Sequence, residues 1–407
     1  MKFVIIGSGI AGLTAAETIR KNSSSAEITI ISQDQYIPYY RINLIRYAVG
    51  ELDKDKLHIH NSEWYSSKNI NLTLNQRASH IDPEKKIITL NNELKVKYDR
   101  LIIATGSNAF VPPIQGINSK GIYTISSFND AEKIKQNLTP EKVYVCLGGG
   151  VLGLEAAVAL SSITKNIYVI ENTPFLMPKQ LNREAGKLLE RYIKSFGVNV
   201  ITSEFVSQVI SQNEKVSSII FKSGKQIRAD IIILATGTRP NVELALRSGI
   251  KTNIGVMINN YMETSEKHIF AAGDAVELNN EITGTWISAL QQGKTAAMNA
   301  IGSKSELKTP PKAFTLKVAG ITLASIGKLS TETDNSTTYE KIEKKTYAQF
   351  TLNDFKIINA ILIEYPQELT TIIKNVIDNK ITINNLKKDT SVNEIIEQVK
   401  AVTKQRS

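Results

Sequence analysis

Cysteine is all but missing from this chain: Cys146 is the single one among 407 residues. One thiol cannot build an internal disulfide framework, a multi-cysteine zinc site or an iron–sulfur site. It also excludes a redox-active Cys-x-x-Cys pair within one subunit. So few thiols suit a reducing compartment. Long apolar runs are missing too, and no stretch reaches the ~18 consecutive apolar residues of a membrane-spanning helix. Lys2 and the apolar run Phe3 to Ile6 mimic the start of a signal peptide. The run is too short for one and is broken by Gly7, Gly9 and Gly12. The expectation is a soluble, cytoplasmic protein without membrane association.

Acidic charge is in deficit, with 39 Asp and Glu against 49 Lys and Arg, a net charge of +10. Such a balance suits nucleic acid, a membrane surface or an acidic protein partner. No block of five or more like charges occurs, and a glutamate interrupts the densest run, Lys341 to Lys345. Nucleic acid is therefore not expected, while an acidic protein partner stays open. The hydrophobic fraction, 42%, is ordinary for a folded chain with a sizeable core. At ~150 residues per domain the length allows two or three domains.

Against these absences stands a glycine pattern. Lys2 to Ile6 reads as a short buried strand, Gly7-Ser8-Gly9-Ile10-Ala11-Gly12 as a turn, Leu13 to Arg20 as a helix and Glu27 to Ser32 as a second strand. This is the order of a dinucleotide-binding unit. Gly7 makes the tight turn, Gly9 lets the backbone approach a pyrophosphate, and Gly12 lets the helix pack closely on the strand. Ile10 and Ala11 complete the turn, and the free N–H groups at the helix N-terminus face the phosphates. Asp34, 22 residues after Gly12, is placed to bind ribose hydroxyls.

The pattern recurs. Lys142 to Leu147 reads as a strand, Gly148-Gly149-Gly150-Val151-Leu152-Gly153 as the turn, and Asn166 to Ile170 as the next strand. Gly148, Gly150 and Gly153, with Val151 and Leu152, are expected at the phosphates. Glu171 closes the strand, 18 residues after Gly153. A carboxylate there accepts from a free 2′-hydroxyl and repels a 2′-phosphate. The following Asn172, Thr173 and Pro174 offer no arginine to that phosphate, so NADH is expected over NADPH. Of two nucleotide sites in one chain, one can hold a flavin and the other a nicotinamide.

Three further segments are more specific: Tyr98 to Gly106, which ends in Ala104-Thr105-Gly106; Ala229 to Asn241, which repeats Ala-Thr-Gly at 235–237; and Thr264 to Asp274, which ends in Gly273-Asp274. With both glycine turns they resemble the pyridine nucleotide-disulfide oxidoreductase superfamily of FAD flavoproteins, over about residues 1 to 330. The resemblance implies an α/β fold with two Rossmann-like, three-layer ββα domains and a C-terminal α+β domain. It implies a discontinuous FAD domain (1–108 and 240–305), an inserted NADH domain (109–239) and a C-terminal domain (310–407). Asp274 becomes the ribityl-binding residue, and Ala78, Ala104, Thr105, Gly106, Gly237 and Gly273 join it as cofactor contacts. Pro38-Tyr39-Tyr40-Arg41 through Leu44 is similar to a segment of NADH–rubredoxin reductases, oxygenase-type ferredoxin reductases and nitrite-reductase flavin parts. There the arginine, here Arg41, helps hold FAD. A lysine five residues on lies near the flavin N5 edge; here it is Arg46, a planar fork in place of a point charge. Thr285 to Gly293 also matches, and implies Trp286 beside the isoalloxazine, the alternative being a core tryptophan. Glu155, two residues past the second turn, corresponds to a contact of the nicotinamide end, or is ordinary charge placement in a first helical turn. Arg46 and Glu155 are the residues expected nearest the chemistry, and no metal is expected.

Disulfide-reducing members of that superfamily carry a cysteine pair in the first helix, and their thiol oxidase and peroxidase relatives use one cysteine near position 43. Ile42 and Asn43 stand here, and Cys146 reads as a small buried hydrophobe. The flavin is then the sole redox centre. Ser303 to Lys312 reads as a linker, and strands are expected from Phe314. A hairpin is expected at Tyr347 to Leu352 and Phe355 to Ile363, turning at Asn353-Asp354, with helices at Glu368 to Ile377 and Val392 to Thr403. The resemblance puts an NADH-dependent FAD reductase first, serving a small acidic carrier, rubredoxin or then ferredoxin, with a homodimer possible. A nitrite-reductase flavin component, a peroxide-forming NADH oxidase and a non-catalytic flavin redox sensor are the alternatives.

Overall fold

The computed structural model describes residues 1–307, 313–327, 329, 336–383, 386 and 390–404. The chain packs as two compact units: residues 1–110, 125–136 and 237–308 form one, and 111–124, 137–236 and 309–407 the other.

The first unit is built on a five-stranded parallel sheet, ordered Ile269–Ala271, Arg100–Ile103, Lys2–Ile6, Glu27–Ile31 and Ile70–Thr73. Its central strand is apolar and buried from Phe3 to Ile6 because both faces are covered. Phe3 and Ile5 join the core under the helices Ile10–Asn22 and Trp286–Ala300. Val4 and Ile6 point the other way, into the core under a three-stranded antiparallel sheet, Ala78–Asp82, Ile87–Leu90 and Lys95–Lys97. The two helices touch backbone to backbone. A Cβ at Gly293 falls 2.2 Å from the carbonyl oxygen of Ala11, so glycine is required there.

Residues 125–136, within the range expected for the inserted domain, pack in this first unit. The reason is Phe128, fully buried, with its ring 4.3 Å from that of Tyr36 and 5.1 Å from that of Tyr47. Such aromatic packing joins segments far apart in sequence and leaves no local signal.

In the second unit the parallel sheet runs Asn199–Ile201, Ile167–Ile170, Tyr144–Leu147, Ile231–Leu234, Ile122–Tyr123. A three-stranded antiparallel sheet, Val206–Gln212, Lys215–Phe221 and Gln226–Arg228, again shares a core with it. The same unit holds the C-terminal domain, an antiparallel sheet ordered Ala313–Val318, Ile321–Gly327, Lys356–Ile363, Tyr347–Asn353, Ser336–Ile342. Helices Gln367–Asp378 and Val392–Lys404 share a core with one face of it. The hairpin turns one residue later than expected. Asp354 and Phe355 both have positive φ, 47° and 59°, which is the two-residue hairpin geometry that matches strand twist.

Of the expected linker, residues 303–307 are packed: Leu307 is buried, and its N–H donates to the carbonyl of Asn260 at 2.7 Å. Residues 308–312 lie outside the described residues. Among the described residues no helix is long and apolar enough to cross a membrane.

Candidate functional site

Two cradles are present, one in each unit, and they are built alike. In the first, Gly7 leaves the strand Lys2–Ile6 with φ +113°, and a Cβ on it would sit 2.0 Å from the carbonyl oxygen of Ala104. A Cβ on Gly12 would sit 2.0 Å from the carbonyl oxygen of Gly7. Turn, helix and neighbouring strand end are thus locked by two glycines. Gly9 differs, because a Cβ there meets nothing within 4 Å. It is the residue before the helix, and no side chain caps the turn that follows. The N–H groups around Ile10, Ala11 and Gly12 belong to the first turn, which has no intrahelical acceptors. Open space over uncapped donors at a helix N-terminus suits a pyrophosphate.

Asp34 stands three residues past the end of the second strand, Glu27–Ile31. Its Oδ2 accepts from the Tyr39 hydroxyl at 2.7 Å, and that hydroxyl accepts from the N–H of Phe128 at 3.1 Å. Arg41 donates to the carbonyl of Ser126 at 2.7 Å, and its guanidinium lies 5.5 Å from the Tyr39 ring centre. Asp274 follows the strand Ile269–Ala271 and accepts from the Ser107 hydroxyl at 3.3 Å. Burial pushes its carboxyl above the ordinary range, and the Ser107 bond and the Arg41 charge oppose that shift. An Asp with so little compensation is suited to accept from a ligand's hydroxyl groups. Gly273, φ +84°, donates its N–H to the buried Gln292 side chain at 2.8 Å.

Thr105 and Asn241 exchange two bonds, 3.0 and 2.9 Å, which tie Ala104-Thr105-Gly106 to the segment after Gly237. The strands Ser107–Ala109 and Thr238–Pro240 then pair antiparallel. Trp286 is half-buried and stacks on Tyr40, ring centres 5.6 Å apart, so it is no core tryptophan. Arg46 is half-exposed and faces Glu51 at 3.3 Å. Ala78 lies in the core between the two sheets.

The second cradle repeats the first. A Cβ on Gly148 would lie 2.3 Å from the carbonyl oxygen of Ala235, one on Gly153 would lie 2.0 Å from that of Gly148, and Gly150 faces open space. Val151 and Leu152 open the helix Val151–Leu160, which no side chain caps. Glu171 is buried, and its two oxygens accept from the N–H of Gly149 at 2.8 Å and from the N–H and hydroxyl of Thr173, both at 2.9 Å. Three donors fix the carboxylate beside the turn and still leave acceptor capacity for a hydroxyl. Glu155 Oε1 accepts from the N–H of Ala319, 2.8 Å away in the first hairpin of the C-terminal domain. Cys146 is fully buried in its strand, and that burial pushes its thiol up to about 12.

Residues 1–293 match the family described as pyridine nucleotide-disulphide oxidoreductase. The chain belongs to that family. Residues 313–381 match the rubredoxin NAD+ reductase C-terminal domain. The chain is 30% identical to the NADH-rubredoxin oxidoreductase of Clostridium acetobutylicum, over 95% of its own length and 96% of that protein. A solved structure of that organism's NADH:rubredoxin oxidoreductase superposes with a TM-score of 0.82 at 29% identity, over 97% of this chain and 99% of that one. The assimilatory nitrate reductase electron transfer subunit of Bacillus subtilis is 32% identical over 89% of this chain and 47% of that protein. The chain spans about half the length of that subunit and of the Bacillus subtilis nitrite reductase it also matches, 47% and 45%. As a member of the oxidoreductase family, the chain carries two cradles of the kind that hold FAD and a pyridine nucleotide.

Several residues that shape these sites stand inside recognised segments, but their partners appear only in the fold. Gln292 and Asn241 act on backbone atoms 19 and more than a hundred positions away. Tyr39 stands inside a recognisable segment, but its partners Asp34 and Phe128 appear only in the fold.

Proposed function

We propose that this protein is an NADH-dependent FAD reductase that passes electrons to a small redox carrier, rubredoxin first. The first unit holds FAD, with its pyrophosphate on the Gly9 turn, its adenosine ribose on Asp34, and its ribityl chain on Asp274. Arg41 adds charge, and Trp286 and Arg46 belong to the flavin's surroundings. The second unit holds NADH, with the pyrophosphate on the Gly150 turn and the ribose on Glu171. Bound FAD supplies the chemistry, accepting two electrons from a nicotinamide and releasing them one at a time. The chain's own residues bind, orient and exclude water. The buried, high-titrating Cys146 is no nucleophile at neutral pH, since the thiolate is the reactive form.

The observation that carries the acceptor is the match to an NADH-rubredoxin oxidoreductase over 96% of its length, together with a C-terminal domain of the rubredoxin-reductase type. Stopped-flow reoxidation of the NADH-reduced protein tests it. Rubredoxin should outrun ferredoxin and oxygen, and the rate should fall with salt, as a positive chain and an acidic carrier require. If no protein acceptor outruns oxygen, the reading fails. The 32% identity to a nitrate-reductase electron transfer subunit favours a second reading, delivery to a nitrogen-oxyanion reductase. Faster reoxidation by such a reductase than by rubredoxin selects it.

The NADH preference rests on Glu171. NADH should bleach the flavin far faster than NADPH, and Glu171→Ala should narrow that ratio about tenfold, the loss of one charge-assisted bond and one repulsion. Equal bleaching of the unaltered protein by both nucleotides would remove the argument.

A further inference from the structure

Glu155, in the first turn of the helix that opens the second cradle, ties that helix to the C-terminal domain. Its Oε1 accepts from the N–H of Ala319 at 2.8 Å. Ala319 and Gly320 form the two-residue turn between strands Ala313–Val318 and Ile321–Gly327, with φ of +52° and +83°. Alanine at positive φ is uncommon and costs energy. A turn that keeps such a residue is held by what surrounds it, and here a carboxylate receives its peptide N–H. Two further contacts accompany it. Asn182 caps the helix Arg183–Ser195 through its Oδ1, and through its Nδ2 donates to the Tyr347 hydroxyl at 2.5 Å and to Gln349. The Tyr192 hydroxyl donates to the carbonyl of Lys345 at 2.5 Å. Contacts at three separated points seat the C-terminal sheet firmly on the nucleotide-binding part of this unit.

We infer that the Ala319–Gly320 turn is a positioning element of the second nucleotide site. Its peptide N–H fixes one oxygen of Glu155, so the carboxylate meets the nicotinamide carboxamide already oriented, and the C-terminal domain sets affinity for that end of NADH. A carboxylate offers about four lone-pair sites, so the turn and the carboxamide can share it. The inference rests on the reading of the second cradle as the NADH site, with Glu155 at its nicotinamide end.

Two ligands separate the cases. ADP-ribose carries the adenosine and pyrophosphate of NAD+ but no nicotinamide. In the FAD-loaded full chain, Ala319→Pro removes the N–H and cannot keep positive φ, whereas Ala319→Gly keeps both. By calorimetry, Ala319→Pro should weaken NAD+ binding about tenfold and leave ADP-ribose binding unchanged, which also certifies the fold. Ala319→Gly should bind both as the unaltered chain does. Hydrogen exchange at residues 318–321 should slow several-fold more with NAD+ than with ADP-ribose, and this increment should vanish in Glu155→Ala, which removes the acceptor. Equal loss of both ligands in Ala319→Pro, no loss of either, or faster exchange at the turn with NAD+ overturns the positioning role alone. If neither ligand binds the unaltered protein, the NADH reading falls and this inference falls with it.

Discussion

Asp274 shows how one residue trades stability against binding. Its burial holds the carboxyl above its ordinary value of 3.8. A carboxyl raised in the folded state makes the ionised fold costly. That cost is full above the folded-state value and is relieved as the pH falls through it. Asp274→Asn should therefore raise the melting temperature of the FAD-free protein at neutral pH, with the gain closing as the pH falls toward 3.8. The same variant should retain FAD less well, read as flavin absorbance after gel filtration. Unchanged FAD retention would remove Asp274 from the site. Tyr39 makes the complementary case. Tyr39→Phe takes a donor from Asp34 and an acceptor from the N–H of Phe128. It should destabilise by about 1–3 kcal/mol in urea unfolding, the cost of a buried group left unpaired, and weaken FAD binding with it. At this scale the sequence revealed the residues whose identity is dictated locally: the glycines, and the acids at strand ends. It was silent on the partners of Tyr39, Gln292 and Asn182, which are set by tertiary packing. Nor did it reveal that Arg46 faces Glu51 and Glu155 faces Ala319.

Among the elements, the contact of helices Ile10–Asn22 and Trp286–Ala300 decides the shape of the first cradle. Gly293 sits against Ala11, one residue from Gly12 and two from Gly9. Gly293→Ala should push the helices apart and cost about 1–3 kcal/mol, as overpacked interiors do, measured by thermal unfolding. It should also loosen FAD, if the uncapped turn before the displaced helix holds the pyrophosphate as proposed. A neutral effect on both would show that the helices can separate freely. The strands and helices of both nucleotide units were legible because buried parallel strands leave continuous apolar runs and glycine turns have fixed spacing. The turn at Asp354-Phe355 was misplaced by one residue, because Phe355 is an unusual occupant of positive φ. The membership of residues 125–136 in the first unit was illegible, since it depends on aromatic rings from Tyr36, Tyr39 and Tyr47 meeting Phe128.

For the molecule as a whole, the shortage of cysteine and the burial of Cys146 lead to one expectation, a single redox centre. Reductive titration of the FAD-loaded protein should take up two electrons per chain, and Cys146→Ala should leave that number and the carrier-dependent rate unchanged. Uptake of four electrons would reveal a second centre.

The three-segment construction of the first unit bears on the order of events during synthesis. Strand Arg100–Ile103 pairs with Ile269–Ala271, more than 160 residues later, and Asp274 arrives just behind that late strand. As the chain leaves the ribosome, the parallel sheet around Tyr144–Leu147 can close while the first sheet still lacks its outer strand. Contacts of such long separation slow folding, and domains formed during translation complete in the order their segments emerge. The glycine turn at Gly148–Gly153 and its sheet can therefore close before the first cradle has its outer strand, and Asp274 cannot join the first cradle until residues 269–274 have been made.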